Sequence, residues 1–210
     1  GRSADFHLYT LSQIELSQTE SNLDTRNNLQ DRLIYGSYPQ VVMARGETAK
    51  KTQLRRLRDG YLLKDILELD NLKDSLFVFN LLRLIAFQIG HDVSFAELAA
   101  SLNSHPKTVR RYLELLEKTF VVFSVSGFSR NLRKEYTKTP RYYFWDNGIR
   151  NILISNFNNL NLRDDTGLLW ENYCISERRK RNAYKNAFVN YFYWRTYDQK
   201  EVDSLEEQEG

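Results

Sequence analysis

Apolar residues recur every three or four positions through most of this chain, and every second position in a few short runs, so helices are expected to dominate. Leu54, Leu57, Tyr61, Leu62, Ile66 and Leu69 predict a long helix over 47–69, with Lys50, Lys51, Arg55, Arg56 and Arg58 as its solvated outer face. Gly60 lies inside it and costs about 1 kcal/mol relative to alanine, which predicts a close contact or a bend there. Residues 76–89 predict a second, strongly apolar helix, stopped by Gly90 in the left-handed conformation. From Val93 to Asp146 the order is helix, tight turn, helix, then two β-rich runs around a basic loop. Ser94 and Glu97 read as a capping box, and Phe95, Leu98, Ala99 and Leu102 as the buried face of the helix they start, which ends near Ser101. Ser104 reads as the next N-cap, with Pro106 in the first turn, where a missing N–H costs nothing. Val109, Tyr112, Leu113, Leu116 and Phe120 then form an inner stripe, and runs 120–125 and 141–145 pair as strands. This is the order of a winged helix-turn-helix.

The flanks are less regular. Residues 1–16 alternate around Phe6, Leu8 and Leu11 as an extended segment, 17–28 read as a mobile polar loop, and 29–35 as one or two helical turns before the turn at Gly36. A short helix is expected over 147–156, and an Asn-rich change of composition marks a boundary near Asn158. Beyond it, 166–183 predict a helix with Leu169, Tyr173 and Ser176 inward. The run Arg178, Arg179, Lys180, Arg181 sits at that helix's C-terminal end, where positive charge complements the macrodipole. Residues 189–197 and 200–206 predict two strands around a turn at Asp198 and Gln199. The fold class is α+β, mainly helical: 1–28 a remnant of an upstream domain with its loop, 29–75 a helical linker, 76–157 the winged helix, 158–210 a partial α/β tail.

Charge sharpens this outline. Between His105 and Lys138 eight Lys and Arg face three Glu, an excess of five, while the whole chain carries only +3. Lys107, Thr108, Arg110 and Arg111 face outward near the start of the third helix, the end that meets base edges in a helix-turn-helix, and His105 opens it. With Arg130, Arg133 and Lys134 in the loop they make the expected nucleic-acid-binding set; a solvated face of a protein-binding module is weighed equally. The single Cys174 excludes an intrachain disulfide, and no apolar run approaches the roughly 18 residues of a membrane span, so a cytoplasmic setting without membrane contact is expected.

No GxxxxGK[ST] or GxGxxG string is present, nor a Cys/His spacing for a metal. One acidic constellation stands out: Glu171 on the tail helix and Asp203, beside Glu201, on the last strand. Carboxylates on a helix and an adjacent strand can share a divalent cation, although purely structural or solvated acids are the commoner case.

The strings YGSYPQVV (35–42), YLLKDILEL (61–69), VSFAELAASLNSHPKTVRRYLELLEKTFVVF (93–123), FSRNLRKE (128–135), PRYYFWDNGIRN (140–151), GLLWEN (167–172) and YWRTYDQKEVD (193–203) resemble, in this order, one known region. It is the C-terminal region of predicted bacterial and archaeal AAA+-type P-loop ATPases, catalogued as a domain of unknown function. The resemblance implies that 1–16 end the ATPase domain, with Arg2 matching a family arginine that senses nucleotide and Thr10 replacing the usual proline. It also implies a restriction-endonuclease-like tail with Glu171 and Asp203 at catalytic positions, although Ser204 departs from the usual apolar residue and the ExK element lies past Gly210. The chain is therefore expected to hold no cofactor itself, with ATP and Mg belonging to the parent, and neither to bind ATP nor to cleave DNA alone. Expected partners are DNA, the upstream ATPase domain and further copies of the chain. The leading reading is a regulatory nucleic-acid-binding region of a P-loop ATPase; the alternatives are a truncated metal-dependent nuclease and a protein-interaction or dimerisation module.

Overall fold

A computed structural model of the chain describes residues 7–65, 74–129, 139–196 and 200–208; Arg2 and the loop cations Arg130, Arg133 and Lys134 lie outside the described residues. The chain is α+β and mainly helical, with one small mixed sheet. No helix among the described residues is long and apolar enough to cross a membrane.

The first correction falls on 17–28. Ser21 and Asp24 cap each other's backbone N–H groups, both at 3.1 Å, and start helix α2 (Asn22–Tyr35), so most of the expected loop is helical. Its outer turns carry exposed polar residues, which left no apolar period to read. A second reciprocal cap, Ser12 with Glu15, starts the short α1 (Gln13–Leu16) inside the segment expected to be extended. After α3 (Pro39–Val42) comes α4 (Glu47–Arg56), which continues as a π-helical stretch (Leu57–Asp65). Gly60 lies in that stretch, and a Cβ there would meet nothing within 4 Å, so the altered winding and not a close contact accompanies the glycine. The cations of α4 and of the π-helical stretch are only partly solvated. Lys50 pairs with Asp31, Lys51 with Glu47 at 3.1 Å and Arg58 with Asp59 at 2.7 Å, whereas Arg55 and Arg56 are exposed.

Helix α5 (Ser75–Phe87) buries Val78, Leu81, Leu82 and Ile85, and Gly90 follows it with φ +75°. Helices α6 (Phe95–Ser101) and α7 (Pro106–Lys118) then lead into strands β1 (Val122–Gly127) and β2 (Arg141–Phe144), antiparallel from Val122↔Phe144 to Val125↔Arg141. Helix α8 (Asn147–Leu153) is buried along its whole length. It is fixed by a knot with the end of α2. The carboxylate of Asp146 accepts the N–H groups of Ser37 at 2.7 Å and Gly148 at 2.9 Å. Gly36 has φ +76°, and a Cβ there would fall 1.9 Å from Asp146 Oδ1. A Cβ on Gly148 would fall 2.0 Å from the Tyr35 carbonyl oxygen, so both glycines are demanded by space.

The tail adds α9 (Thr166–Tyr184), β3 (Val189–Arg195) and β4 (Glu201–Gln208). These strands do not form a sheet of their own. The order is β2-β1-β3-β4, and β3 joins β1 in parallel at Ser126↔Phe192 and Gly127↔Tyr193, across the boundary drawn near Asn158. On the far side of β2 the amide of Asn172, on α9, accepts from the Phe144 N–H at 2.7 Å and donates to the Phe144 carbonyl at 2.9 Å, as a neighbouring strand would. Arg179 of α9 lies between the rings of Phe123 (4.3 Å) and Tyr191 (4.4 Å), bolting hairpin to tail.

Candidate nucleic-acid interface and an acidic groove

Two places gather charge. The first is α7. Its N-cap is His105, one residue later than expected: the ring Nδ1 accepts the Lys107 N–H at 3.2 Å while Pro106 takes the first helical position. The side chain expected to reach a ligand thus closes the helix end. Val109, Leu113 and Leu116 are buried, which turns Lys107, Arg110, Arg111, Glu114 and Lys118 to the exposed side, with Thr108 half-buried. Glu117 is drawn away from that side, its Oε1 accepting the Ser124 N–H at 2.6 Å and tying α7 to β1. The guanidinium of Arg110 lies over the ring of Phe95, the first residue of α6, at 5.3 Å. Below α6, Ser94 accepts the Glu97 N–H at 3.4 Å, one half of the expected capping box.

The second place is an open groove of about 640 Å³ between α9 and β4, lined by Asp164, Trp170, Glu171, Cys174, Asp203 and Ser204 among others. Glu171 and Asp203, 32 positions apart in sequence, face the same space. Tyr143 of β2 donates its hydroxyl to Glu171 Oε1 at 2.6 Å, and a Cβ on Gly90 would come 3.1 Å from that oxygen. Burial pushes the Glu171 carboxyl above the usual glutamate value; the hydrogen bond from Tyr143 opposes this and the negative charge of Asp203 adds to it. Burial, and then Glu201, do the same to Asp203, with Arg141 opposing.

Arg141 anchors this region. Its side chain is 4% exposed, donates to Asp92 at 2.9 Å and to Glu201, and stacks on the Tyr193 ring at 4.0 Å. Burial disfavours its charge, but the bonds to Glu201 and Asp92 outweigh that and hold the guanidinium protonated. Arg195 takes the other oxygen of Asp92. Among the described residues no group of three or more His, Cys, Asp or Glu side chains converges as a metal site would require. Glu201, two residues before Asp203 on β4, is already the counter-ion of Arg141.

The basic run at the end of α9 differs from its sequence reading. Lys180 is 2% exposed and donates to Glu177 at 2.9 Å, Arg179 is the half-buried bolt, and Arg178 pairs with Glu206 at 2.7 Å; Arg181 is exposed. The other oxygen of Glu177 accepts the Gln13 N–H at 2.6 Å, so part of the run secures the N-terminal segment and does more than meet a helix dipole. Sequence reasoning missed Asp92, Arg141 and Tyr143. The one available signal was an arginine opening the otherwise apolar string RYYFW, and its partners stand 49 and 60 positions away.

Two family models match the chain. One, described as a domain of unknown function (DUF8612), covers residues 26–161; the other, also described as a domain of unknown function (DUF4143), covers 166–210. The chain is similar to an uncharacterized protein of Haemophilus influenzae, 31% identical over 162 residues, covering 71% of this chain and 40% of that protein. It is also similar to an uncharacterized protein of Mycobacterium tuberculosis, 28% identical over 159 residues (73% of this chain, 35% of that protein). An uncharacterized protein of Methanocaldococcus jannaschii is 24% identical over 185 residues (84% of this chain, 38% of that protein). The chain thus spans well under half the length of these relatives. No solved structure matches it.

Proposed function

We propose that this chain, which belongs to the family described as a domain of unknown function (DUF8612), is a regulatory nucleic-acid-binding region of a P-loop, AAA+-type ATPase. One observation carries the reading: α7 presents Lys107, Arg110, Arg111 and Lys118 on one exposed face, backed by a stripe of buried aliphatic residues. Of the two glutamates on that helix, one is committed to the Ser124 N–H, so the face stays cationic. Helix, turn, helix and antiparallel hairpin follow one another in the order of a winged helix, which supports α7 as the recognition helix. Association with an ATPase rests on the ordered strings that resemble such proteins, and on the tail's match to a domain known in ATPase-associated proteins. Fluorescence anisotropy with labelled duplex DNA across a salt series tests the binding. Log affinity is expected to fall linearly with log salt, by about 0.9 for each phosphate contacted; affinity indifferent to salt overturns the reading.

A second reading, a nuclease-like tail, is favoured by Glu171 and Asp203 sharing one groove. As they stand the two carboxylates do not complete a cation site, since no third ligand group converges among the described residues, and no cleavage step follows from them. Nicking of supercoiled plasmid with Mg²⁺, abolished by Asp203→Ala, is the result that would establish it.

A further inference from the structure

Resting on the nucleic-acid reading of α7, we propose that the partner is duplex DNA entered through its major groove, and that Arg110 reads a guanine there while held ready by Phe95. The exposed cations of α7 are not equivalent. Lys107 and Lys118 are compact charges on flexible stems, which suit a phosphate approached from many directions. Arg110 lies over the Phe95 ring at 5.3 Å, so part of its rotamer freedom is lost before any ligand arrives. That restriction adds little against a phosphate. It matters for a base edge, because guanine offers N7 and O6 at a fixed spacing that a guanidinium fork matches in two parallel bonds.

Position agrees with chemistry. Arg110 stands in the first half of a helix of 13 residues, roughly 20 Å long, and the B-form major groove, about 12 Å wide, admits such a helix. Glu114, one turn on, is also exposed. A carboxylate there works against a purely sequence-blind phosphate surface, but it accepts well from the amino group of cytosine. Arg110 and Glu114 together select for G·C pairs. An A-form RNA duplex has a major groove too narrow for this approach, which sets DNA apart from duplex RNA. Phe95 touches no base in this scheme; it is a positioning residue that acts through Arg110.

Binding-site selection with the whole chain on a randomised DNA duplex pool, followed by anisotropy on the selected duplex, tests the assignment. Wild type is expected to enrich guanine at one fixed position and to prefer it there by about tenfold or more. Arg110→Lys keeps the charge and should flatten that position alone, leaving salt dependence and affinity for unselected DNA unchanged. Phe95→Leu should lose part of the same preference with an unaltered circular dichroism spectrum. Lys107→Ala should weaken all duplexes by one common factor. A selection with no preferred guanine, an Arg110→Lys effect equal on all duplexes, or an RNA duplex bound as tightly as DNA overturns the inference and leaves the proposed function standing. Absence of binding to any duplex removes both.

Discussion

The face of α7 and the groove between α9 and β4 are both rich in charge, yet they spend it differently. On α7 the charges come from one helix and are set by its own period; Lys107, Arg110, Arg111 and Lys118 all lie on its exposed side, Arg110 over the Phe95 ring. In and around the groove, Asp92, Arg141, Glu171, Arg195, Glu201 and Asp203 come from a loop, a helix and three strands. There Asp92, Arg141, Arg195 and Glu201 are bound to one another, and Arg141 is 4% exposed with two carboxylates on it. Charge left in water costs little to fold and stays available to a ligand, whereas charge taken from water must be answered inside the protein and becomes part of the fold.

Single substitutions should separate the two regions. Arg141→Met leaves Asp92 and Glu201 without their shared cation and should cost about 3 kcal/mol, the low end for a broken buried pair because both carboxylates keep some solvent. For a chain of this size that is a fall in Tm of roughly 6–12 °C. Arg110→Met on α7 should stay within about 0.5 kcal/mol of wild type. Equal losses for the two in urea unfolding would erase the contrast.

A smaller effect is expected from Lys107→Ala combined with Lys118→Ala. Stability should hold while the slope of log affinity against log salt becomes shallower by about two, one for each lost phosphate contact. The smallest concerns the groove acids. Because the folded state raises the carboxyls of Glu171 and Asp203, protons bind the folded chain more tightly than the unfolded one. The stability tied to this is fully present below the unfolded carboxyl value and is lost as pH rises through the folded one. Asp203→Asn should therefore raise Tm at neutral pH, and the gain should vanish in acid where Asp203 is already protonated. A loss of Tm at neutral pH would show that the Asp203 charge has a partner that stabilises it.

The same contrast explains what could be read from the chain. Helices α6 and α7 and the hairpin were legible because Ser94, Pro106 and the stripe Val109, Leu113, Leu116 are local signals a few positions apart. The last turns of α2 were read at 29–35, but its first half was not, because those early turns face water and only the Ser21–Asp24 cap announces them. The cap of α7 slipped by one residue because an imidazole nitrogen took the place expected for a serine hydroxyl. In the groove, Glu171 and Asp203 were picked out as a pair on helix and strand, and the structure brings both to one space. The Arg141 cluster that steadies them depends on contacts between distant segments, and nothing near Arg141 in the chain announces Asp92 or Glu201. Lys180 is the sharpest case: in a run of four cations, only folding decides which one is enclosed.

The short parallel join between β1 and β3 has a consequence for anyone dividing this molecule. A piece ending before α9 would strip Ser126 and Gly127 of β1 of their strand neighbour and take Arg179 off the Phe123 ring, leaving a bare, sticky rim ready to recruit another chain. Such a piece should scatter light as oligomers at concentrations where the whole chain does not, because the tail serves the hairpin as a sheath.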